Sequence, residues 1–256
     1  MAKTVLITGA GRGVGRECAL AFARTGAAVA CAARTVSEID ATAAACLAAG
    51  APRAIFISMD VTNAAAVREG VERIRRELGA IDVLLHAAGG AKTAAFDKTD
   101  DATWAEMLSV NLTSAFFVAR AVLPDMIQQK AGRILFVGST ASRAGFRYCS
   151  AYAAAKHGLL GMARSLALEV AEKNITVNVL GPGFLDAEST HEAARSVASR
   201  TNKSEGSVLD TYRHISPQRR LIATEEVAAA AVFLASDAAR GINGQCLLID
   251  GGGIVS

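Results

Sequence analysis

Near its amino end the chain runs Thr4-Val5-Leu6-Ile7-Thr8-Gly9-Ala10-Gly11-Arg12-Gly13-Val14-Gly15, and Arg16-Glu17-Cys18-Ala19-Leu20 follow. Thr4 to Thr8, β-branched and apolar, predict a buried strand, and the residues from Gly13 onward carry a helical period. Between the two, glycines allow a sharp turn and a close backbone approach that a Cβ would obstruct. The helix that follows offers free N–H groups and a positive dipole end. Strand, glycine turn and helix in direct succession predict a seat for a nucleotide pyrophosphate, formed by Gly9, Arg12, Gly13, Val14 and Gly15.

Outward from this turn, short apolar runs alternate with longer alanine-rich segments. Strands are predicted at 4–8, 28–33, 54–58, 81–86, 133–139, 175–180 and 246–250, and helices at 13–24, 36–49, 64–78, 101–130, 150–173 and 224–235. Nearly unbroken apolar strands, each followed by a helix, predict a parallel sheet covered on both faces. Right-handed crossovers then give a three-layer, doubly wound α/β fold of the Rossmann type with about seven strands. The expected organisation is one dinucleotide-binding domain over 1–256. Residues 184–218 break the rhythm: they are polar, mixed in charge, and follow Gly181-Pro182-Gly183. A long segment at the ligand-binding edge of an open sheet predicts a substrate lid, with an exposed helical excursion as the alternative.

Composition removes several function classes. Of 256 residues, 52% are hydrophobic and 20% charged, but 54 are alanine. The longest charge-free run, Met107 to Ala119, is 13 residues, against about 20 for a spanning helix, so no membrane segment is expected. The amino end lacks signal-peptide architecture. Five scattered cysteines, none at C-x-x-C spacing, predict neither disulfides nor a metal site and suit a reducing cytoplasm. A net charge of +3 without a basic block points away from nucleic acid.

The end of the second strand, Ala27 to Arg34, bears on which nucleotide is held. An acidic residue there would take the ribose 2′-hydroxyl, but Ala33 stands at that point and Arg34 follows, with Arg12 in the glycine turn. Two guanidiniums and no carboxylate favour a 2′-phosphate, hence NADP(H) over NAD(H); ordinary surface arginines are the alternative. Further along, Tyr152 and Lys156 lie four residues apart on one helix face. A phenol titrates near pH ~10, and a neighbouring ammonium is expected to lower that value. Ser139 closes the fifth predicted strand, placed to aim a hydroxyl at the same point of a ligand as the phenol.

These residues, in this order, resemble the short-chain dehydrogenase/reductase family in its compact branch, over essentially the whole chain. The matching positions are Thr8-Gly9-x-x-x-Gly13-x-Gly15, Asp60-Val61, Asn111, Ser139, Tyr152-x-x-x-Lys156 and Pro182-Gly183. The resemblance implies hydride exchange between a nicotinamide and a ketone or secondary alcohol. It implies Tyr152 as proton donor or acceptor, Ser139 as hydrogen-bonding partner of the substrate oxygen, and Lys156 as the residue gripping the ribose. Asn111 would anchor a relay water. Asp60 and Val61 would meet the adenine, and Ala88, Gly89, Pro182 and Gly183 the rest of the cofactor. It also implies a homotetramer, in keeping with surplus apolar residues on helices 101–130 and 150–173.

Two positions depart from the family pattern. His86-Ala87-Ala88-Gly89 replaces the usual Asn-Asn-Ala-Gly, and a hydrogen-bonded core histidine is the expected reading over a catalytic one. Ala187 stands where a threonine is usual, so Ser189 and Thr190 replace its contact or the contact is lost. Arg143, Arg147, Arg195, Arg200, Lys203 and Arg213, with Phe146 and Tyr148, suit an apolar substrate with an anionic handle. A 3-oxoacyl thioester is such a substrate; solvated loop charge is the alternative. Simple ketones or sugars, an NAD(H)-preferring dehydrogenase, a sugar-nucleotide epimerase and a non-catalytic NADP-binding module are the competing readings. The epimerase needs a larger chain, and the binding module would not need Ser139, Tyr152 and Lys156.

Overall fold

The computed structural model describes residues 2–254. In chain order its elements are β1 (Thr4–Thr8), α1 (Gly13–Arg24), β2 (Ala28–Ala33), α2 (Val36–Ala48), β3 (Ala54–Ser58), α3 (Ala64–Leu78) and β4 (Val83–His86). There follow α4 (Asp101–Leu108), α5 (Ser114–Gln129), β5 (Gly132–Val137), α6 (Ser150–Val170) and β6 (Ile175–Pro182). The chain ends with β7 (Leu185–Asp186), α7 (Glu188–Thr201), α8 (Glu205–Ile215), β8 (Ile222–Ala223), α9 (Thr224–Leu234) and β9 (Cys246–Ile249).

Seven parallel strands form one sheet in the order β3-β2-β1-β4-β5-β6-β9. Because strand side chains alternate in direction, Leu6 and Ile7 are both fully buried yet enter opposite layers. Ile7 joins Val29 and Leu85 beneath α1, α2 and α9, whereas Leu6 joins Leu84, Ile134 and Phe136 beneath α3, α5 and α6. The alanine surplus does structural work here. The packed pair α1 and α9 buries Ala19, Ala23, Ala228 and Ala231, whose small side chains let helices approach closely.

Strand order reverses between β1 and β4, which pair through Thr8 and His86 at their carboxyl ends. Loops leaving neighbouring strands in opposite directions open a crevice at such a point. Gly9 sits there at φ +69°, where a Cβ would lie 2.8 Å from Ala88 N, so only glycine lets the two loops nest.

The helix after β4 runs from Asp101 to Gln129 with one π turn, Ser109–Thr113, inserted between α4 and α5. In length and apolar composition this continuous helix suffices to cross a membrane, which its 13-residue charge-free run did not suggest. Its inner residues Val118, Val122 and Met126 are nonetheless fully buried against the sheet layer.

Several boundaries differ from expectation: β4 begins at Val83 rather than at 81, and α6 ends at Val170 rather than at 173. β5 stops at Val137 rather than reaching Ser139, because Ser139 instead caps a 3-10 turn, Thr140–Ser142. β6 continues to Pro182, paired with Ile249 of β9. Residues 184–218 hold two helices, α7 and α8, whose Ala194, Val208 and Leu209 form a small core with Leu221 just beyond the segment, and β7 pairs with β8 as a separate two-stranded sheet.

His86 is the core histidine expected. Its Nδ1 lies 2.9 Å from Thr8 Oγ1 and its Nε2 3.1 Å from Ser114 Oγ. Burial first, and the Lys156 charge second, hold its pKa down to about 3. The folded ring therefore stays neutral while the unfolded one protonates as pH falls through 6.5. Stability tied to this residue is present above pH 6.5 and drains away toward the folded value. His86→Asn is expected to flatten the fall in unfolding free energy between pH 6.5 and 4.5 by about 2–3 kcal/mol, measured by urea unfolding at each pH. Parallel curves for the two proteins would contradict this.

Candidate active site

The glycine turn forms one wall of the crevice. Arg12 occupies the N-cap of α1 without a side-chain cap, and the first turn carries no acidic residue, so nothing in the helix itself claims its leading N–H groups. A Cβ on Gly15 would lie 2.1 Å from Gly9 O; the turn closes only because that atom is missing. Gly13, at φ +55°, has open space where its side chain would be. An uncapped positive helix end with an open backbone face fits a pyrophosphate.

Ser139, Tyr152, Lys156 and Asn111 converge from three segments at the carboxyl edge. Ser139 Oγ accepts from Ala141 N at 3.1 Å, which fixes its rotamer, and its side chain is hydrogen-bonded to Tyr152. Tyr152 and Lys156 share one face of α6, with Nζ 5.7 Å from the phenol ring centre. Lys156 is buried and donates to Val137 O at 2.9 Å. Asn111, buried in the π turn, donates through Nδ2 to Gly90 O at 2.9 Å and to Met107 O at 3.0 Å, and its Oδ1 accepts from Gly90 N at 3.2 Å. A Cβ on Gly89 would stand 2.8 Å from Asn111 Oδ1 and 3.5 Å from Lys156 Nζ, so a glycine keeps that meeting point open. Extra residues in π turns often mark such sites.

The electrostatics differ from expectation in one respect. Burial pushes the Tyr152 hydroxyl above its usual pKa, the Ser139 hydrogen bond opposes this, and Cys149 adds to it. Lys156 is not the lowering influence expected, because its ammonium reaches past the ring to Val137 O rather than to the hydroxyl. Burial lowers Lys156 itself to about 8.

Around this group the loops are tied together. Tyr148 adopts a left-handed φ of 66°, and its carbonyl accepts from Ala94 N at 2.9 Å, joining the loops after β4 and β5. A shallow cleft opens next to Ser139 at Thr140, lined also by Phe146, Gly183, Phe184, Tyr212 and Ile215 among others. Phe184 and Tyr212 stack with ring centres 4.2 Å apart. These two aromatic residues were missed in the sequence, although the apolar spacing Val208, Leu209, Tyr212 is that of a helix face.

The remaining predicted residues are placed as follows. Gly183 N donates to Ile249 O at 3.0 Å, fixing Pro182-Gly183 at the end of β6. Asp60 Oδ1 accepts from Thr62 N at 2.9 Å and Thr62 Oγ1 at 2.7 Å, holding its carboxyl below the usual range, with exposed Arg34 a lesser influence. Val61 is buried and Ala88 partly so. Arg12 reaches α7, with Nη1 3.1 Å from Glu192 Oε1. Ala187 forms the N-cap of α7 without a side-chain cap, and Ser189 and Thr190 lie in its first turn. Arg195 pairs with Glu188 and Glu205, and Arg213 with Asp210, so these cations are engaged inside the 184–218 segment. Among the described residues no group of three or more His, Cys, Asp or Glu side chains is placed to hold a metal.

Residues 3–198 match the short chain dehydrogenase family, and the chain belongs to it. An uncharacterized oxidoreductase of Bacillus subtilis (strain 168), YxjF, is 37% identical over 255 residues, covering 98% of this chain and 97% of the relative. The 3-oxoacyl-(acyl-carrier-protein) reductase FabG of Escherichia coli (strain K12) is 35% identical over 250 residues, covering 98% and 96%. Among solved structures, a tryptophan variant of actinorhodin polyketide ketoreductase with NADPH superposes with a TM-score of 0.93 at 28% identity, covering 98% of this chain and 97% of that one. The protein is thus an NAD(P)-dependent oxidoreductase that acts on carbonyl and alcohol groups.

A buried ammonium without a carboxylate partner costs folding free energy that a methionine would not. Lys156→Met is expected to raise stability at pH 7 by on the order of 1–3 kcal/mol. Between the folded value of about 8 and the unfolded 10.5, the native lysine sheds its proton and the wild type catches up. Calorimetric melting at pH 7 and pH 10 checks this; a variant less stable at pH 7 would contradict it.

Proposed function

We propose that the protein reduces ketones to secondary alcohols with NADPH, and that its substrate is a 3-oxoacyl thioester. The observation that carries the reading is the convergence of Ser139, Tyr152, Lys156 and Asn111 beside the uncapped glycine turn. The nicotinamide, when bound, supplies the hydride. Ser139 and Tyr152 then both point hydroxyls at the carbonyl oxygen, and Tyr152 gives it the proton that completes the alcohol. A phenol whose pKa is raised by burial stays protonated at neutral pH, which suits a general acid. Lys156 would hold the nicotinamide ribose. Asn111 holds the Gly90 backbone and a relay water, through which Lys156 and Tyr152 are reprotonated.

Along the rest of the cofactor, Gly9, Gly13, Val14 and Gly15 take the pyrophosphate, and Ala88 and Gly89 border the ribose. Asp60 and Val61 meet the adenine, and Pro182 and Gly183 meet the nicotinamide. Arg12 and Arg34 take a 2′-phosphate. The NADPH of the polyketide ketoreductase supports this preference, and the name of the FabG relative supports the thioester. Residues 184–218 act as the lid of the single domain, with Phe184 and Tyr212 as the wall against an acyl group. Exposed Phe116 on α5 and Leu168 on α6 form part of the interface of a homotetramer in the cytoplasm.

The test is a substrate panel followed by NADPH absorbance. Turnover of 3-oxoacyl thioesters, faster with NADPH than NADH, is expected. Tyr152→Phe should lower kcat by about 10²–10⁴-fold while NADPH still binds within about twofold, by fluorescence titration. Turnover confined to simple ketones or polyols would overturn the substrate; an unimpaired Tyr152→Phe would overturn the proton donor.

A further inference from the structure

The ion pair between Arg12 and Glu192 spans 180 residues of sequence and joins the glycine turn to α7 across the mouth of the crevice. Its Nη1–Oε1 distance is 3.1 Å, and both side chains remain substantially exposed. Glu188 lies one helical turn before Glu192, so both carboxylates lie on one side of α7. Glu188 belongs chiefly to Arg195, and Arg12 contributes the smallest part of what holds its carboxyl below the usual range. Glu192 is therefore the carboxylate that faces the uncapped amino end of α1, on a helix side where Arg195 answers Glu188, and Arg12 is the one cation of the glycine turn.

A guanidinium binds a phosphate best through two parallel N–H donors. While Nη1 is held by Glu192, Arg12 has only its Nε–Nη2 edge for a two-pronged contact with a 2′-phosphate, and a carboxylate beside that phosphate repels it. We infer that Glu192 is a positioning residue that sets cofactor selectivity, by competing with the 2′-phosphate of NADP(H) for Arg12. The inference rests on the reading of Arg12 as a 2′-phosphate ligand. NAD(H), which has no 2′-phosphate, leaves the pair untouched, so Glu192 narrows the preference that Arg12 and Arg34 create. Exposed ion pairs are weak, and their competition corresponds to about a two- to fivefold change in affinity.

Calorimetric titration of the full chain with adenosine 2′,5′-bisphosphate and with ADP separates the terms, since only the first carries the 2′-phosphate. Glu192→Gln should bind the bisphosphate about two- to fivefold more tightly and ADP unchanged. In an Arg12→Ala background the same substitution should change neither. Equal tightening of both ligands, or no change in either, overturns the inference. If Arg12→Ala leaves the ratio of the two affinities unaltered, the reading of Arg12 falls, and this inference with it.

Discussion

Gly15 rests on Gly9 so closely that a Cβ on the first would fall 2.1 Å from the carbonyl oxygen of the second. Gly9 in turn fits against the Ala88 backbone at the end of β4. This stack of main chain, with no side chains in it, lets α1 begin directly over β1 and aims its leading N–H groups into the crevice. It also sets how near the loop after β4 can come, and that loop carries Gly89 and Gly90. Gly90 is what Asn111 holds, and Gly89 borders the space between Asn111 and Lys156. Phosphate seat and proton chemistry are thus two ends of one packed arrangement.

The site is costly to build. Lys156 is an ammonium buried with a carbonyl partner and, among the described residues, no carboxylate paired with it, and burial depresses its pKa. Tyr152 is a phenol whose anion is disfavoured by the same burial. Charged or reactive groups held in a low-dielectric pocket are characteristic of functional sites, where stability yields to chemistry. The surrounding sheet can carry that cost because both of its faces are fully packed, from Leu6 and Phe136 on one side to Ile7 and Leu135 on the other.

Much of this was legible in the sequence, because main-chain demands leave residue signatures. Glycines at 9, 13 and 15, the apolar run at 4–8 and the Tyr152–Lys156 spacing each encode a local geometry, and all appear where expected. What stayed hidden was set by tertiary contact. No pattern announces a π turn at 109–113, since its hydrogen bonds shift without a change of residue type. Ser139 reads as a strand residue by composition, but its hydroxyl is used as a cap. Helices α7 and α8 were obscured by their charge, with apolar residues limited to narrow faces such as Ala194, Val197 and Ala198. The direction of the Tyr152 shift depends on where the Lys156 ammonium points, which spacing alone does not determine. The partner of Arg12 lies on a helix 180 residues away.

The most direct test of this dependence is NADPH binding by Gly15→Ala, followed by fluorescence titration alongside circular dichroism. The added methyl must displace the Gly9 carbonyl and with it the turn. The variant is expected to keep its helical and strand signal, melt at lower temperature, and bind NADPH at least about tenfold more weakly, the loss of one or more charge-assisted hydrogen bonds. Wild-type affinity with an unaltered melting temperature would contradict it.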